Sequence, residues 1–367
     1  MPDVIVVGAG AIGTAVAWRC AQRGLTVDLV DPDMTQGAWH TAAGMLAPIT
    51  ELHYTESALL RLNLASMARY PDYVAELEDE TGRSAGYLEC GTIEMAWDAA
   101  DLQALRDLHV FGNELGLSSE LLTGSELRAL EPALAPGLPG GLLAEFDHQV
   151  DPRALHDAQF RAAMQRGVGM IHRRATLDVR AGRVHGVHLD DGSRLSSGTV
   201  VLAAGAWSGL LADVPVRPVK GQTVRLRVAG ERPLRRVLRA TVKGNPIYVV
   251  PRADDRIVIG ASSEEAGFDM RPRAGAVYEL LRDAQSVVPE LSEAVLDELC
   301  TGLRPGSADN GPLIGAAGIS GLLCATGHYR NGILLTPITA NAVAQITADA
   351  TVPDAVLPFS PERVYAA

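Results

Sequence analysis

Cysteine is scarce in this chain, and long apolar runs are missing. Four cysteines, Cys20, Cys90, Cys300 and Cys324, are scattered over 367 residues without a C-x-x-C pair, which argues against a disulfide framework or a thiolate metal site. No uninterrupted apolar run reaches the roughly 18 residues that a membrane-spanning helix needs. The first strand is expected a few residues after Met1, without a basic leader segment. We therefore expect a cytoplasmic protein with reduced thiols, no metal and no membrane partner.

Positive charge is also in short supply. Lysine and arginine number 32 against 44 acidic residues, which gives a formal net charge of −12. No basic surplus is available to neutralise phosphates, so nucleic acid is excluded as the expected partner. The hydrophobic fraction of 47% and the charged fraction of 21% are typical of a globular protein. At 367 residues the chain exceeds what one hydrophobic core usually spans, so we expect two domains.

Glycines mark the first motif. A β-branched run ends in G-x-G-x-x-G at Gly8, Gly10 and Gly13, and a helical stretch and a second apolar run ending on Asp31 follow. This order predicts a βαβ unit that binds a dinucleotide. Gly8 permits the tight turn, Gly10 lets the backbone approach a pyrophosphate, and Gly13 lets the helix pack against the strand. Asp31 is placed to accept the ribose hydroxyls, and NAD and FAD are equally open at this point.

Hydrophobic spacing predicts the other elements. The stretch from Gly37 to Pro48 has few bulky residues and is predicted to be a loop. The run 199–208 fits a buried parallel strand that returns to the sheet of residues 4–7. Helices are predicted over 59–77, 100–115, 124–130, 152–165, 277–287 and 332–348, and strands over 87–96, 170–179, 183–189, 224–228, 247–252, 256–261, 299–306 and 322–325. The order indicates an α/β fold in which a nucleotide domain is interrupted by a second domain.

Read together, the motifs resemble the FAD-dependent amine oxidoreductases of the D-amino acid oxidase group, and within it the glycine oxidases of thiamine biosynthesis. The resemblance covers nearly the whole chain. Its carriers are VVGAGAIG at 6–13, AAGMLA at 42–47, AAGAWS at 203–208, VKGQ at 219–222, YVVPR at 248–252, GLRPG at 302–306 and GHYRNGILL at 327–335.

The resemblance implies a Rossmann-like, discontinuous FAD-binding domain over 1–85, 146–220 and 301–367. A substrate-binding domain with a mixed, largely antiparallel sheet would span 86–145 and 221–300. FAD is expected to be non-covalent, because no cysteine stands in the motif that tethers flavin in related sarcosine oxidases; Cys324 is the nearest candidate. The implied cofactor contacts are Gly8, Gly10, Ala11, Ile12, Gly13, Asp31, Pro32, Thr41, Ala43, Gly44, Met45, Thr176, His328, Tyr329, Asn331, Gly332, Ile333 and Leu334. A helix that begins near Gly332 would direct its N–H groups at the flavin ring.

At the substrate end, the resemblance implies that Arg304 binds an amino acid carboxylate and that Tyr248 and Arg330 line the same pocket. Arginine suits this role because its planar fork matches a carboxylate through two parallel hydrogen bonds. The implied reaction is hydride transfer from the substrate Cα to flavin N5. It gives an imine, then a 2-oxo acid and ammonia, with H2O2 formed on reoxidation by O2. Such a reaction depends mainly on how the substrate is positioned against the flavin, so no general base is assigned.

Two departures from the glycine oxidase pattern widen the expected substrate range. Ser262-Ser263 stands where many members carry a bulky methionine, and Gly244-Asn245-Pro246 stands where a histidine can occur. The substrates considered are glycine, sarcosine and small D-amino acids such as D-alanine. A D-amino acid oxidase or dehydrogenase of broader specificity is the alternative, and a flavoprotein module without amine chemistry is a third reading. The family also implies a homo-oligomer, with a tetramer as the expected form.

Overall fold

A computed structural model describes residues 1–229 and 233–364. Residues 230–232 and 365–367, which fall in the predicted substrate-binding and FAD-binding ranges, lie outside the described residues. The strands are β1 (Val4–Val7), β2 (Val27–Val30), β3 (Met45–Leu46), β4 (Tyr87–Leu88), β5 (Thr92–Ala96), β6 (Glu120–Thr123), β7 (Gly140–Ala144), β8 (His148–Val150), β9 (Gly169–Ile171), β10 (Ala175–Arg180), β11 (Arg183–Leu189), β12 (Arg194–Ser196), β13 (Val200–Leu202), β14 (Arg217–Arg227), β15 (Val237–Val242), β16 (Asn245–Pro251), β17 (Arg256–Gly260), β18 (Val295–Gly306), β19 (Leu313–Ala316) and β20 (Leu322–Thr326). The helices are α1 (Ala11–Gln22), α2 (Ala38–Thr41), α3 (Ser57–Met67), α4 (Tyr70–Thr81), α5 (Ala99–Glu114), α6 (Gly124–Leu130), α7 (Pro152–Gln165), α8 (Ser208–Leu211), α9 (Ala274–Val287) and α10 (Thr336–Asp349).

One sheet has the strand order β19-β20-β13-β1-β2-β9, and all its pairs are parallel except β19 with β20. The predicted return of the 199–208 run is confirmed, since β13 pairs with β1. Helices α1, α7 and α10 pack together on this sheet around the fully buried Trp18. Small residues such as Ala15 and Ala17 permit this close packing. The Rossmann-like architecture predicted from the glycine motif is therefore confirmed.

A second sheet has the order β18-β14-β17-β16-β15-β5-β7-β6. Its pairs are antiparallel apart from β15 with β5, so the predicted mixed, largely antiparallel sheet is also confirmed. Helix α9 packs on this sheet through Leu280, Ala284 and Val287, which form part of a separate apolar cluster. Two three-stranded sheets, β10-β11-β12 and β3-β8-β4, complete the topology. The exact domain limits stay a prediction.

Helix boundaries correct two predictions. The single helix expected over 59–77 is two helices, α3 and α4, because Pro71 lacks an N–H and its ring would clash with a carbonyl one turn earlier. The last helix begins at Thr336, about one turn after the predicted start at Gly332, and Pro337 stands in its first turn. Asp151, by contrast, caps α7 as its position before Pro152 indicates, accepting from the Arg153 N–H at 3.0 Å.

Two strand and loop predictions are also corrected. The strand expected over 170–179 is split, because β9 joins the parallel sheet and β10 turns away into a small sheet. The loop expected between Gly37 and Pro48 contains the short helix α2 and the two-residue strand β3. Both errors arise where short segments take their conformation from tertiary neighbours rather than from local periodicity.

Candidate active site

A cavity of about 750 Å³ extends from the glycine loop after β1 to one face of the eight-stranded sheet. Arg304, Tyr248 and Arg330 line it together with most of the predicted cofactor contacts: Gly8, Gly10, Ala11, Ile12, Asp31, Pro32, Thr41, Ala43, Gly44, Met45, Thr176, His328, Tyr329, Gly332 and Ile333. Gly13, Asn331 and Leu334 do not line it. The structure thus brings residues from both ends of the chain to one site.

The glycine loop fits a bound pyrophosphate. Helix α1 has Gly10 as its N-cap, so it lacks a side-chain cap, and its first turn holds no acidic residue. Its first N–H groups therefore remain available to an anion. Gly8 has φ of +104°, and a Cβ there would collide with the carbonyl oxygen of Ala203. Gly13 lies behind the cavity, where a Cβ would collide with the Gly8 carbonyl oxygen. Its role is the close packing of helix on strand.

Asp31 is fixed beside this loop. Its Oδ2 accepts the Ala9 N–H at 2.7 Å, and its Oδ1 accepts the Asp33 N–H at 2.8 Å. Burial raises the pKa of Asp31, while the two N–H donors oppose that effect. Each carboxylate oxygen keeps a further lone pair for a hydroxyl donor, as a ribose requires. The residues present therefore fit the adenosine part of a dinucleotide.

Trp39 and His156 support the same loop, and the sequence analysis missed both. The Trp39 indole lines the cavity and stacks on the His156 ring with 3.8 Å between centroids. His156 Nε2 lies 2.8 Å from the Ala9 carbonyl oxygen, to which Thr14 Oγ1 also donates. The nearby glycine motif offered no signal for a histidine about 140 residues later, since the contact is tertiary.

We expect acid to weaken the glycine loop through His156. Burial lowers the pKa of His156 to about 4 from its ordinary 6.5, although the bond to Ala9 opposes this. The stabilisation is therefore complete above about pH 6.5 and is lost as pH falls toward 4, by about 3 kcal/mol for a shift of this size. Urea unfolding between pH 7 and 4.5 should show a shallower loss of stability in His156→Gln than in the wild type. Equal slopes would contradict this role.

The turn that precedes α10 forms another wall of the cavity. The carbonyl oxygens of Ile333 and Leu334 accept the hydroxyls of Tyr70 and Ser66, each at 2.6 Å. These bonds tie the turn to α3 and α4. His328 Nε2 lies 3.0 Å from Thr339 Oγ1, and burial lowers the pKa of His328 to about 3, so its ring is neutral at physiological pH.

One row of register partners crosses the eight-stranded sheet beneath the cavity. Glu94, Arg239, Tyr248, Gly260 and Thr223 are consecutive cross-strand partners on β5, β15, β16, β17 and β14. Side chains of direct partners emerge on the same face of a sheet, and Tyr248 and Thr223 line the cavity. This face is therefore the floor of the site.

Arg304 and Tyr248 converge on this floor. The guanidinium of Arg304 lies against Gly221, where a Cβ would collide with it, and Nη1 donates to the Ser262 carbonyl oxygen at 3.1 Å. Burial raises the pKa of Tyr248, which keeps its hydroxyl as a donor. Arg330 is exposed, and its Nη2 lies 2.8 Å from His53 Nε2. A planar cation and a hydroxyl donor in one cavity suit a carboxylate ligand.

A charged group that sequence reasoning missed also borders the cavity. Glu51 lines it and accepts from Arg239 Nη1 at 2.6 Å, and Arg239 Nε lies 3.9 Å from Glu94 Oε2. Burial alone would raise the pKa of Glu51, but Arg239 and Arg330 outweigh it and hold the pKa below its usual value. The hydrophobic spacing predicts no strand over β15, so the sequence offers no signal that Arg239 lies inside the sheet.

We expect Glu51→Gln to lower the free energy of unfolding by about 3 kcal/mol, because it leaves a mostly buried Arg239 without its short ion pair. Urea denaturation monitored by fluorescence measures the change. Glu120→Gln is the matched control, because Glu120 is exposed on β6. Equal stability of the two variants would contradict a stabilising role for the Glu51–Arg239 pair.

The positions of Ser263 and Gly244 leave the expected widening of the substrate range a prediction. Among the described residues that line the cavity, neither occurs, nor does Ser262. Ser263 is exposed, and Gly244 lies in the turn between β15 and β16. Within the described parts of the chain there is no group of three or more potential metal ligands. None of the helices described there is long and apolar enough to cross a membrane.

Comparison with known proteins gives concordant results. The family model "DAO: FAD dependent oxidoreductase" matches residues 3–346. The chain is 33% identical over 369 residues to the glycine oxidase of Geobacillus kaustophilus, covering 98% of this chain and 97% of that protein. The crystal structure of glycine oxidase from Geobacillus kaustophilus superimposes with a TM-score of 0.91 over 98% of both chains.

A longer relative matches over part of its length. The bifunctional protein ThiO/ThiG of Trichormus variabilis is 35% identical over 353 residues, which cover 95% of this chain and 53% of that protein. This chain therefore spans about half the length of the first curated relatives that it matches.

Proposed function

Because the chain belongs to the DAO family of FAD-dependent oxidoreductases, we propose that it oxidises glycine and other small amines or D-amino acids. The observation that carries the proposal is the shared cavity. Arg304 and Tyr248 stand on its floor, and the glycine loop and Asp31 form its far end. When bound, FAD would supply the hydride acceptor, flavin N5, and its reoxidation would reduce O2 to H2O2.

The residues of this chain position the substrate. Arg304 binds the substrate carboxylate through its guanidinium, and the Tyr248 hydroxyl donates a second hydrogen bond to it. Arg330 stands at the exposed side of the same cavity. The turn at His328–Gly332 and the loop at Thr41–Met45 border the space for the flavin ring, with backbone and small side chains. No proton-transfer residue is assigned, because the amine enters neutral and positioning is sufficient.

Similarity to a glycine oxidase and to ThiO/ThiG supports a role in the thiazole branch of thiamine biosynthesis. The products would be an imine, or its 2-oxo acid and ammonia, together with H2O2. The same proposal includes non-covalent binding of FAD, a homo-oligomer with a tetramer as the expected form, and a cytoplasmic location. Acid precipitation, which leaves covalently attached flavin on the protein, and light scattering test the first two.

The deciding experiment is a substrate panel. The purified protein should be yellow with flavin absorbance, and it should form H2O2 with glycine, sarcosine and D-alanine in a peroxidase-coupled assay. A protein unable to take up FAD would overturn the proposal. Preference for larger D-amino acids by orders of magnitude, or turnover with a dye but not with O2, would favour the D-amino acid oxidase or dehydrogenase alternative.

A further inference from the structure

The shorter of two hydrogen bonds from the Arg304 guanidinium to the backbone goes to residue 262. The guanidinium lies against Gly221 on β14, and Nη1 donates to the Ser262 carbonyl oxygen at 3.1 Å. The next acceptor, the Lys220 carbonyl oxygen, is 3.5 Å from the same nitrogen. A displacement of residue 262 would therefore turn the guanidinium away from its present plane.

Ser262 is itself fixed by its side chain and by its backbone N–H, which donates to the Gln222 carbonyl oxygen at 3.3 Å. Its Oγ donates to Glu264 Oε1 at 2.7 Å and accepts the Gln222 N–H at 3.0 Å. Gln222 Nε2 also donates to Glu264 Oε1, at 2.6 Å. These bonds tie the segment after β17 to β14 beside the point where the guanidinium rests.

A buried ion pair holds this assembly. The Lys220 side chain is fully buried, with Nζ 2.6 Å from the Arg271 carbonyl oxygen and 3.6 Å from Glu264 Oε2. The backbones of Lys220 and Glu264 also exchange two hydrogen bonds, of 2.9 and 3.0 Å. A buried ammonium requires such partners, because burial of an unpaired charge is strongly unfavourable. Burial alone would raise the pKa of Glu264, but the bonds from Gln222 and Ser262 and the charge of Lys220 lower it.

The assembly lies behind the floor of the cavity. Side chains alternate along β14, so Lys220 and Gln222 point to the face opposite Gly221 and Thr223, and only the latter two line the cavity. A substrate in the cavity therefore cannot contact the side chains of Lys220, Gln222 or Glu264. These residues reach Arg304 through the Ser262 carbonyl oxygen, at 3.1 Å, and more weakly through the Lys220 carbonyl oxygen, at 3.5 Å.

We propose that Ser262, held by the Lys220–Glu264 pair, is a positioning residue that fixes the Arg304 guanidinium for the substrate carboxylate. The inference rests on the proposed function, because it takes Arg304 to be the carboxylate-binding group. It assigns a purpose to the VKGQ motif at 219–222 and to the serine that departs from the glycine oxidase pattern. Two parallel hydrogen bonds to a carboxylate form only when the guanidinium lies in the correct plane. A mobile guanidinium should therefore weaken substrate binding, which raises KM, more than it lowers kcat.

The test is Ser262→Ala, with Ser263→Ala as its matched control. Ser263 is the exposed neighbour and is absent from the bonds described above. Ser262→Ala should raise KM for glycine about tenfold and leave kcat within twofold, with FAD content unchanged. The Kd for acetate, followed by the change in flavin absorbance, should rise by the same factor. Ser263→Ala should leave both constants unchanged.

Ser262→Thr provides the rescue. It keeps the hydroxyl, so it should return KM and the acetate Kd to within about twofold of the wild-type values. Unchanged constants in Ser262→Ala, or parallel losses of kcat and FAD, would overturn the inference. A wild-type protein that oxidises no amine would overturn the proposed function, whereas the acetate Kd ratio would still decide whether Ser262 positions Arg304.

Discussion

Arg304→Ala is expected to lower kcat/KM for glycine by about three orders of magnitude while FAD stays bound. Truncating one partner of a desolvated charge pair costs about 4 kcal/mol, which corresponds to this factor. The loss should appear mainly in KM, because the proposed contact of Arg304 is with the non-reacting carboxylate rather than with the Cα. Peroxide-coupled kinetics and the ratio of flavin to protein absorbance measure the two quantities. Loss of flavin together with activity would show that Arg304 supports the cofactor instead.

Two further variants sharpen this result. Arg304→Lys keeps the charge but removes the planar fork, so it should fall between the wild type and the alanine variant. Arg227→Ala is the matched control, since Arg227 lies on the same strand as Gly221 but pairs with Asp255 at the surface. It should retain wild-type kinetics.

Gly13→Ala is expected to abolish retention of FAD and to destabilise the protein by more than about 3 kcal/mol. The added Cβ would collide with the Gly8 carbonyl oxygen and would approach the Ala203 side chain to 3.1 Å. Helix α1 can relieve this contact only by moving off β1, which shifts the N–H groups predicted to bind the pyrophosphate. Flavin absorbance after gel filtration and the thermal midpoint measure the effect.

Gly275→Ala is the control for that substitution. Gly275 lies in the first turn of α9 with no atom within 4 Å of an added Cβ. Alanine is the better helix former, so stability should be equal or slightly higher. A Gly13→Ala protein that stays yellow and stable would contradict the close-packing role.

Local signals in the sequence were sufficient for much of the fold. One βαβ unit contains the glycine spacing, the small helical residues and Asp31 just after its second strand. That unit forms as predicted. The α/β class, FAD and the amine oxidase family are confirmed. Arg304, Tyr248 and Arg330 line one cavity with the glycine loop, and their individual roles stay predictions.

Tertiary contacts account for what was missed. Trp39 stacks on His156, which lies on a helix more than one hundred residues later in the chain. Arg239 lies on β15, an interior strand that the hydrophobic spacing does not predict. From the sequence alone, Lys220 would be expected at the surface, whereas in the structure the segment that contains Glu264 covers it. In each case a polar residue becomes buried through a distant partner that periodicity and composition do not reveal.

The row of partners from Glu94 to Thr223 limits where the chain can change its length. Strand side chains alternate with a period of two, so deletion of one residue in β16 before Tyr248 would move its ring to the far side of the sheet. The two-residue turn of Lys243 and Gly244, both with positive φ, sets the register of β15 against β16. Natural variants of this site should therefore carry insertions and deletions only in the connections outside these strands. Within the strands of the row they should differ by substitution alone.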